Sequence, residues 1–306
     1  MKGNVILNKM WLFIASTIIF SILFPKFALL QVDTRAPSFS RLTLELATTK
    51  EGFLVREPIP LILTLGNKTQ ESIIGHKALG LSYNLIELFT LHNGEKRKIE
   101  NLSPLQKLVR VNPISIGPGE RHQAKELLTL DLDKLFPRPG TYQIQAVLHD
   151  VSRKEQIQSN ILTIYIHEPA GLDLLAYEYL KKNANLSNFF TGLEFSGNEQ
   201  GQKVLEGFVS NFSGTSYWDY AADMLAGFYF VKKEYEKAIE LYAKVAAKTN
   251  FLFADNVLYR LLQAYVRLDN LGMARQYLSV LNAQYPGSDY TEKAEVFISQ
   301  ESRKKP

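Results

Sequence analysis

The stretch Tyr229–Val245, YFVKKEYEKAIELYAKV, ends one amphipathic helix, turns, and begins another. The pattern returns 36 positions on: Leu225, Tyr229, Ala238 and Tyr242 are answered by Leu261, Tyr265, Ala274 and Leu278. A fainter echo aligns NFSGTSYWDYA, from Asn211, with QYPGSDYTEKA, from Gln284. A pair of helices carries more apolar surface than it can bury alone, so units with this spacing must stack. Two helices cross closely only where one side is small, and Ala238 and Ala274 hold that place. Residues 170–300 are therefore expected to be all-α. Helical periodicity begins with GLDLLAYEYLKK, in which Leu172, Leu175, Ala176, Tyr179 and Leu180 form one stripe. NANLSNFFTGLEFSGNEQG reads as a loop, QKVLEGFVSNF as a helix, and Asp289–Gln300 as a closing helix.

These residues resemble the tetratricopeptide repeat, a helix-turn-helix unit of 34 residues. Leu225, Ala226 and Tyr229 fill its large-small-aromatic positions, as do Leu261, Leu262 and Tyr265, and Pro286 takes the terminating proline. Leu262 stands where a small residue is usual, and the period is longer than the family's. The resemblance implies a concave face lined by the first helix of each unit. Its groove residues would be Tyr220, Asp223, Asn256, Tyr259, Gln263 and Arg267, and it would take a protein or peptide partner. Aromatic, amide and arginine groups suit such a surface.

Residues 38–169 have a different texture. RLTLELAT puts Leu42, Leu44 and Leu46 on one face at the two-residue period of a half-buried strand. PIPLILTLGNKT reads as a second strand, and Pro58 and Pro60 place its start at a sheet edge. LIELFTLHNGEKRKIE reads as a hairpin turning at Asn93-Gly94. QKLVRVNPISI, the turn GPGE, KELLTLDL, GTYQIQAVLHD and NILTIYIHEP complete the series. About seven short strands separated by turn residues fit an all-β antiparallel sandwich of immunoglobulin-like size. The segments REPIPLILTLGNKT, PGTYQIQA and SNILTIYIHEP resemble the immunoglobulin-like modules of bacterial envelope proteins, with Tyr142 facing inward. The same sandwich is similar to small bacterial proteinase-inhibitor domains.

At the start, Lys2 and Lys9 precede the apolar run MWLFIASTIIFSILF, residues 10–24. A basic region followed by an apolar run of this length reads as an export signal, shorter than the roughly 20 residues that span a bilayer. Residues 1–31 are expected to be a signal peptide or a membrane anchor held through residues 10–30, and both remain open. The remainder is then periplasmic or extracellular. The chain has no cysteine, which excludes disulfides, thiolate chemistry and a lipidated cysteine. Its +4 net charge is the small difference of 35 basic and 31 acidic residues, too even to point to nucleic acid. Residues 301–306 read as a basic tail.

No catalytic set emerges. His76, His92, His122, His149 and His167 have no metal-binding spacing, and no nucleophile elbow or phosphate loop is present. Asp131 and Asp133 are too few for a calcium loop. Asn67, Asn101, Asn185 and Asn211 begin glycosylation sequons. The reading is a cofactor-free, non-enzymatic scaffold that binds a partner through the helical groove. The alternative makes the sandwich a proteinase-inhibitor-like or glycan-binding module, with the helices as spacer. Oligomeric state is not legible.

Overall fold

The computed structural model describes residues 38–92, 95–100, 111–129, 132–183, 199–248 and 250–304. The N-terminal apolar run, the Asn93-Gly94 turn, Asn101, Asp131, Asn185 and the last two residues lie outside these, as does the side chain of Asp133. Among the described residues, no helix is long and apolar enough to cross a membrane.

A β-sheet region comes first. Its strands are β1 (Thr43–Ala47), β2 (Gly52–Leu54), β3 (Ile59–Gly66), β4 (Ile73–Gly75), β5 (Ile86–His92), β6 (Glu95–Lys98), β7 (Ile114–Ile116), β8 (Arg121–Leu128), β9 (Gly140–His149), β10 (Gln156–Gln158) and β11 (Leu162–His167). One sheet has the order β1-β3-β8. A larger one has the order β2-β11-β9-β5-β6, with β10 paired to β9, and β4 pairs with β7. All these pairs are antiparallel except β2 with β11. The alternating residues Leu42, Leu44 and Leu46, with Leu61, Leu63 and Leu65, meet Leu88, Ile144, Leu148, Ile164 and Ile166 of the larger sheet in one apolar core.

β3 is the central strand of its sheet, yet its start behaves as an edge. The β1 ladder stops at Ala47 opposite Ile62, so residues 59–61 are paired on the β8 side only. There the missing N–H of Pro60 costs no ladder bond toward β1, and its carbonyl accepts from the Thr48 hydroxyl at 2.6 Å. Three strands were not expected from periodicity: β2, β4 and β10 have three residues each, too few to display alternation.

Among the described residues seven helices follow: α1 (Gly171–Asn183), α2 (Glu199–Asn211), α3 (Trp218–Val231), α4 (Tyr235–Ala246), α5 (Ala254–Arg267), α6 (Leu271–Gln284) and α7 (Asp289–Lys304). From α2 to α6 each helix packs on the next, and α7 packs on both α5 and α6. The seams are small: Ala222, Ala226, Ala238, Ala264, Ala274 and Ala294 are fully buried. The turns between paired helices are the same object twice. Lys233 and Asp269, 36 positions apart, both adopt left-handed backbone. In the first turn the amides of Lys233 and Glu234 donate to the carbonyls of Phe230 and Tyr229; in the second, those of Asp269 and Asn270 donate to Val266 and Tyr265. This double closure caps the orphan carbonyls at a helix end.

The stripe expected on α1 is corrected. Ala176 and Leu180 are buried, but Leu172 is 46% exposed and Leu175 61% exposed. The buried side of α1 is set by its approach to α2 at Gly207, where any Cβ would lie 2.4 Å from the Tyr179 hydroxyl oxygen. A helix with one close helical neighbour buries a narrow stripe, and the remaining leucines stay outside.

His76 is wholly buried. Its Nε2–H donates to the His149 carbonyl at 2.8 Å, while Nδ1 accepts from the Ala78 amide at 3.2 Å. Both ring nitrogens are satisfied only in the neutral form, and burial holds the imidazole below its ordinary 6.5. The unfolded chain therefore takes up the proton first. Stability is full above pH ~6.5 and declines as pH falls toward ~5, before carboxylates dominate. Urea unfolding across that window should show the decline, and His76→Gln, which keeps a donor near Nε2, should flatten it. Separately, Lys233→Gly and Asp269→Gly should each raise stability by about 1 kcal/mol, because glycine adopts left-handed backbone without the Cβ penalty. Denaturant midpoints of the two single variants check this.

Candidate functional site

The first turns of α3 and α5 meet the β-region. Tyr217, wholly buried just before α3, donates its hydroxyl to the Val55 carbonyl at 2.8 Å. The same β2–β3 connection brings Arg56 over the Tyr177 ring at 5.9 Å. It also carries Glu57, 2% exposed, which accepts from Lys50 Nζ at 2.5 Å and from the Leu54 amide at 2.9 Å. Burial pushes the Glu57 carboxyl upward, and Lys50 opposes that shift. At α5, the Asp255 carboxylate is buried and accepts from Lys125 Nζ of β8 at 2.9 Å and from the Ser288 hydroxyl at 2.7 Å. Lys125 also lies over the Tyr285 ring at 5.7 Å.

The expected groove residues fall into distinct settings. Tyr220 is drawn toward this contact. Its ring meets Phe251 edge-on at 5.6 Å, and burial, then the charge of Glu57, raises its phenol well above the ordinary range. Asn256 is half-buried, and its amide N–H donates to the neighbouring Asp255 at 3.0 Å. Asp223 and Arg260 approach to 3.6 Å across α3 and α5. Burial raises the Asp223 carboxyl and Arg260 counters it. Gln263 donates to the Tyr259 hydroxyl at 3.1 Å. Tyr259 leans on Tyr290 and Phe297 of α7, at 5.8 and 6.5 Å between ring centres. With Glu292, Lys293, Val296 and Gln300 it lines an open hollow of about 520 Å³. Arg267 is exposed in the last turn of α5. The structure thus joins Asp223 to Arg260 and Tyr259 to Gln263, and leaves Tyr220 and Arg267 apart from both pairs.

Asp255, Lys125, Arg260 and Tyr217 were not singled out in the sequence. An acid in the first turn of a helix is the ordinary preference at a positive dipole end, so Asp255 gives no sign of burial. Arg260 lies one residue from Tyr259 on a helix already read as lining the groove. Among the described residues, no group of three or more His, Cys, Asp or Glu side chains is placed to hold a metal ion.

No protein-family model matches the chain, and no curated protein matches it. Solved structures are similar to parts of it. The Hsp90 co-chaperone Cns1 from Saccharomyces cerevisiae is 15% identical over 44% of this chain and 41% of that one, with a TM-score of 0.35. The sporulation control protein Spo0M from Bacillus subtilis is 14% identical over 46% of this chain and 55% of that one, with a TM-score of 0.27. A CARDB domain from Pyrococcus furiosus, determined with di-metal ions, is 12% identical over 41% of this chain and 87% of that one, with a TM-score of 0.23. The chain thus spans 41% and 55% of the first two structures, and likenesses this partial do not set its fold or its chemistry.

Breaking a buried ion pair from one side leaves the other charge stranded, at a cost of about 3–5 kcal/mol when both partners are fully buried. Lys125 is 26% exposed, and Asp255 keeps its Ser288 and Asn256 donors. Lys125→Met should therefore cost only about 1–3 kcal/mol. Asp255→Asn should cost a similar amount. The double variant should lose less than the two together, a coupling read from urea midpoints in a double-mutant cycle.

Proposed function

We propose that this chain is a non-enzymatic interaction scaffold of a bacterial cell envelope, exported through its N-terminal segment and either released or tethered by residues 10–30. In this reading the β-region is an immunoglobulin-like sandwich and the helices form a short tetratricopeptide-like array that grips a protein or peptide. Two details support the finer fold assignments. The Tyr142 hydroxyl donates back to the Arg138 carbonyl at 2.8 Å from the start of β9, the arrangement of a tyrosine corner. The repeated left-handed turns at Lys233 and Asp269 match a helix-turn-helix unit used twice.

The observation that carries the functional reading is the outward run of α5 that ends at the exposed Arg267. Tyr259, Gln263 and Arg267 are four residues apart, so they share one side of the helix. The β-region engages its first turn through Asp255, and Tyr259 of the next turn leans on α7. Amide, aromatic and guanidinium groups on a rigid helix are suited to holding a polypeptide without a large ordering cost.

The alternative, a sandwich-centred module, rests on an open hollow of about 680 Å³ between the β5–β6 hairpin and the segment before β9. Thr90, His92, Arg97, Lys98, Lys134 and Arg138 are among its lining residues. Cross-linking in cells that make the protein separates the readings. Gln263→Ala with Arg267→Glu should reduce recovery of the main cross-linked partner by ~10-fold or more, about the effect of losing one or two central contacts. Arg97→Glu with Arg138→Glu should leave it unchanged. The reverse pattern moves the function to the sandwich.

A further inference from the structure

The hollow beside the β5–β6 hairpin borders a strand whose outer side is unpaired. β6 ends its sheet, and all four of its residues, Glu95 to Lys98, are exposed. The Ile99 amide donates to the Leu88 carbonyl at 2.8 Å, so by antiparallel alternation Arg97 and Glu95 also turn their backbone groups toward β5. The N–H and C=O of Lys96 and Lys98 therefore point away from the sheet, and among the described residues no strand receives them. Lysines commonly blunt such an edge, but these two do not reach across it. Lys96 Nζ donates to Gln145 of β9 at 3.0 Å and lies 4.4 Å from the centre of the Phe89 ring. Lys98 Nζ donates to Glu87 of β5 at 2.9 Å. Both side chains fold back over the sheet and leave the edge open. Arg97 lines the hollow of about 680 Å³, as does Arg138 of the segment before β9. Its charged lining has Arg97, Lys98, Lys134 and Arg138 against only Glu95 and Glu100. Glu95 is engaged by Arg97 at 2.7 Å, whereas the exposed Arg138 guanidinium pairs with no carboxylate among the described residues.

We propose that β6 accepts an extended acidic segment of another protein as an added strand, whose alternate carboxylates enter the hollow and meet Arg138 and Arg97. Backbone pairing with Lys96 and Lys98 holds the segment, and the basic lining selects it. Other occupants match less well. A second copy of this edge would set Lys96, Arg97 and Lys98 against their own kind. A helix has no free backbone groups along its length to offer the edge, because its own ladder uses them. A basic strand could pair but would be repelled by the lining. This surface lies on the β-region and does not depend on the helical groove, so the partner held through α5 is a different one.

The probe is a fluorescent peptide of about eight residues that alternates Glu and Thr, long enough to match an ordinary strand. Anisotropy titration with the full chain should show saturable binding, and a copy with Lys in place of Glu should bind ~10-fold or more weakly. Methyl groups on one alternate set of the peptide's amide nitrogens should weaken binding by ~10-fold or more. On the other set they should change it by less than ~2-fold, because only every second N–H faces the edge. Arg138→Glu, at an exposed position, should weaken binding by ~10-fold. Hydrogen exchange at the Lys96 and Lys98 amides should slow by ~10-fold or more when the Glu peptide is bound. Binding that survives both methylated copies, or that leaves exchange at Lys96 and Lys98 unchanged, is charge attraction alone and overturns the added strand. A Glu peptide that does not bind overturns it as well. Neither result touches the groove reading, whose test uses α5 variants.

Discussion

A carboxylate removed from water needs a cation and hydrogen bonds, and Asp255 collects them from distant parts of the chain. Lys125 is 130 positions earlier, on a strand, and Ser288 is 33 positions later, between two helices. The net stability gained is small, because desolvation offsets most of the attraction. The larger consequence is positional. Asp255 fixes where α5 begins against β8, and Tyr217 fixes where α3 begins against the β2–β3 connection. Two separated attachments resist pivoting far better than one, so the helical stack has a set orientation toward the β-region at its first turns.

Much of this architecture was legible because it follows from periodicity. Leu42, Leu44 and Leu46 alternate and are buried; Ala238 and Ala274 recur at helix crossings and are buried. Periodicity failed where elements were too short to have one, as in β2, β4 and β10. It also failed where several apolar faces competed, as on α1. There Leu172 and Leu175 advertise a stripe, and the chain buries Ala176 and Leu180 instead, because the approach at Gly207 decides which side goes in. The site was half-visible for a related reason. Outward positions on α3 and α5 can be counted from the repeat, but a repeat says nothing about a neighbouring domain. Nothing within ten residues of Tyr220 announces that Glu57 stands near it.

The β-region therefore changes which part of the proposed groove is available. With the first turns of α3 and α5 engaged, Tyr220 and Asp255 serve the chain's own assembly. The partly open groups lie about one helical turn further on, at Asp223, Arg260 and Gln263, and continue to Arg267. An array read from sequence alone would have its whole concave side free.

The two helical units also differ at equivalent places along α3 and α5. Asp223 corresponds to Tyr259, Gly227 to Gln263, and Val231 to Arg267, each pair 36 positions apart. The first unit offers a carboxylate, a glycine and an exposed valine; the second offers a phenol, an amide and a cation. Close crossing demands a small residue at Ala238 and Ala274 in both units, whereas the outward positions are free to differ. A segment laid across both units, as the scaffold reading proposes, would meet different chemistry at its two ends. On the scaffold reading proposed above, this difference is what would let a near-repeat distinguish one orientation of a polypeptide from the other.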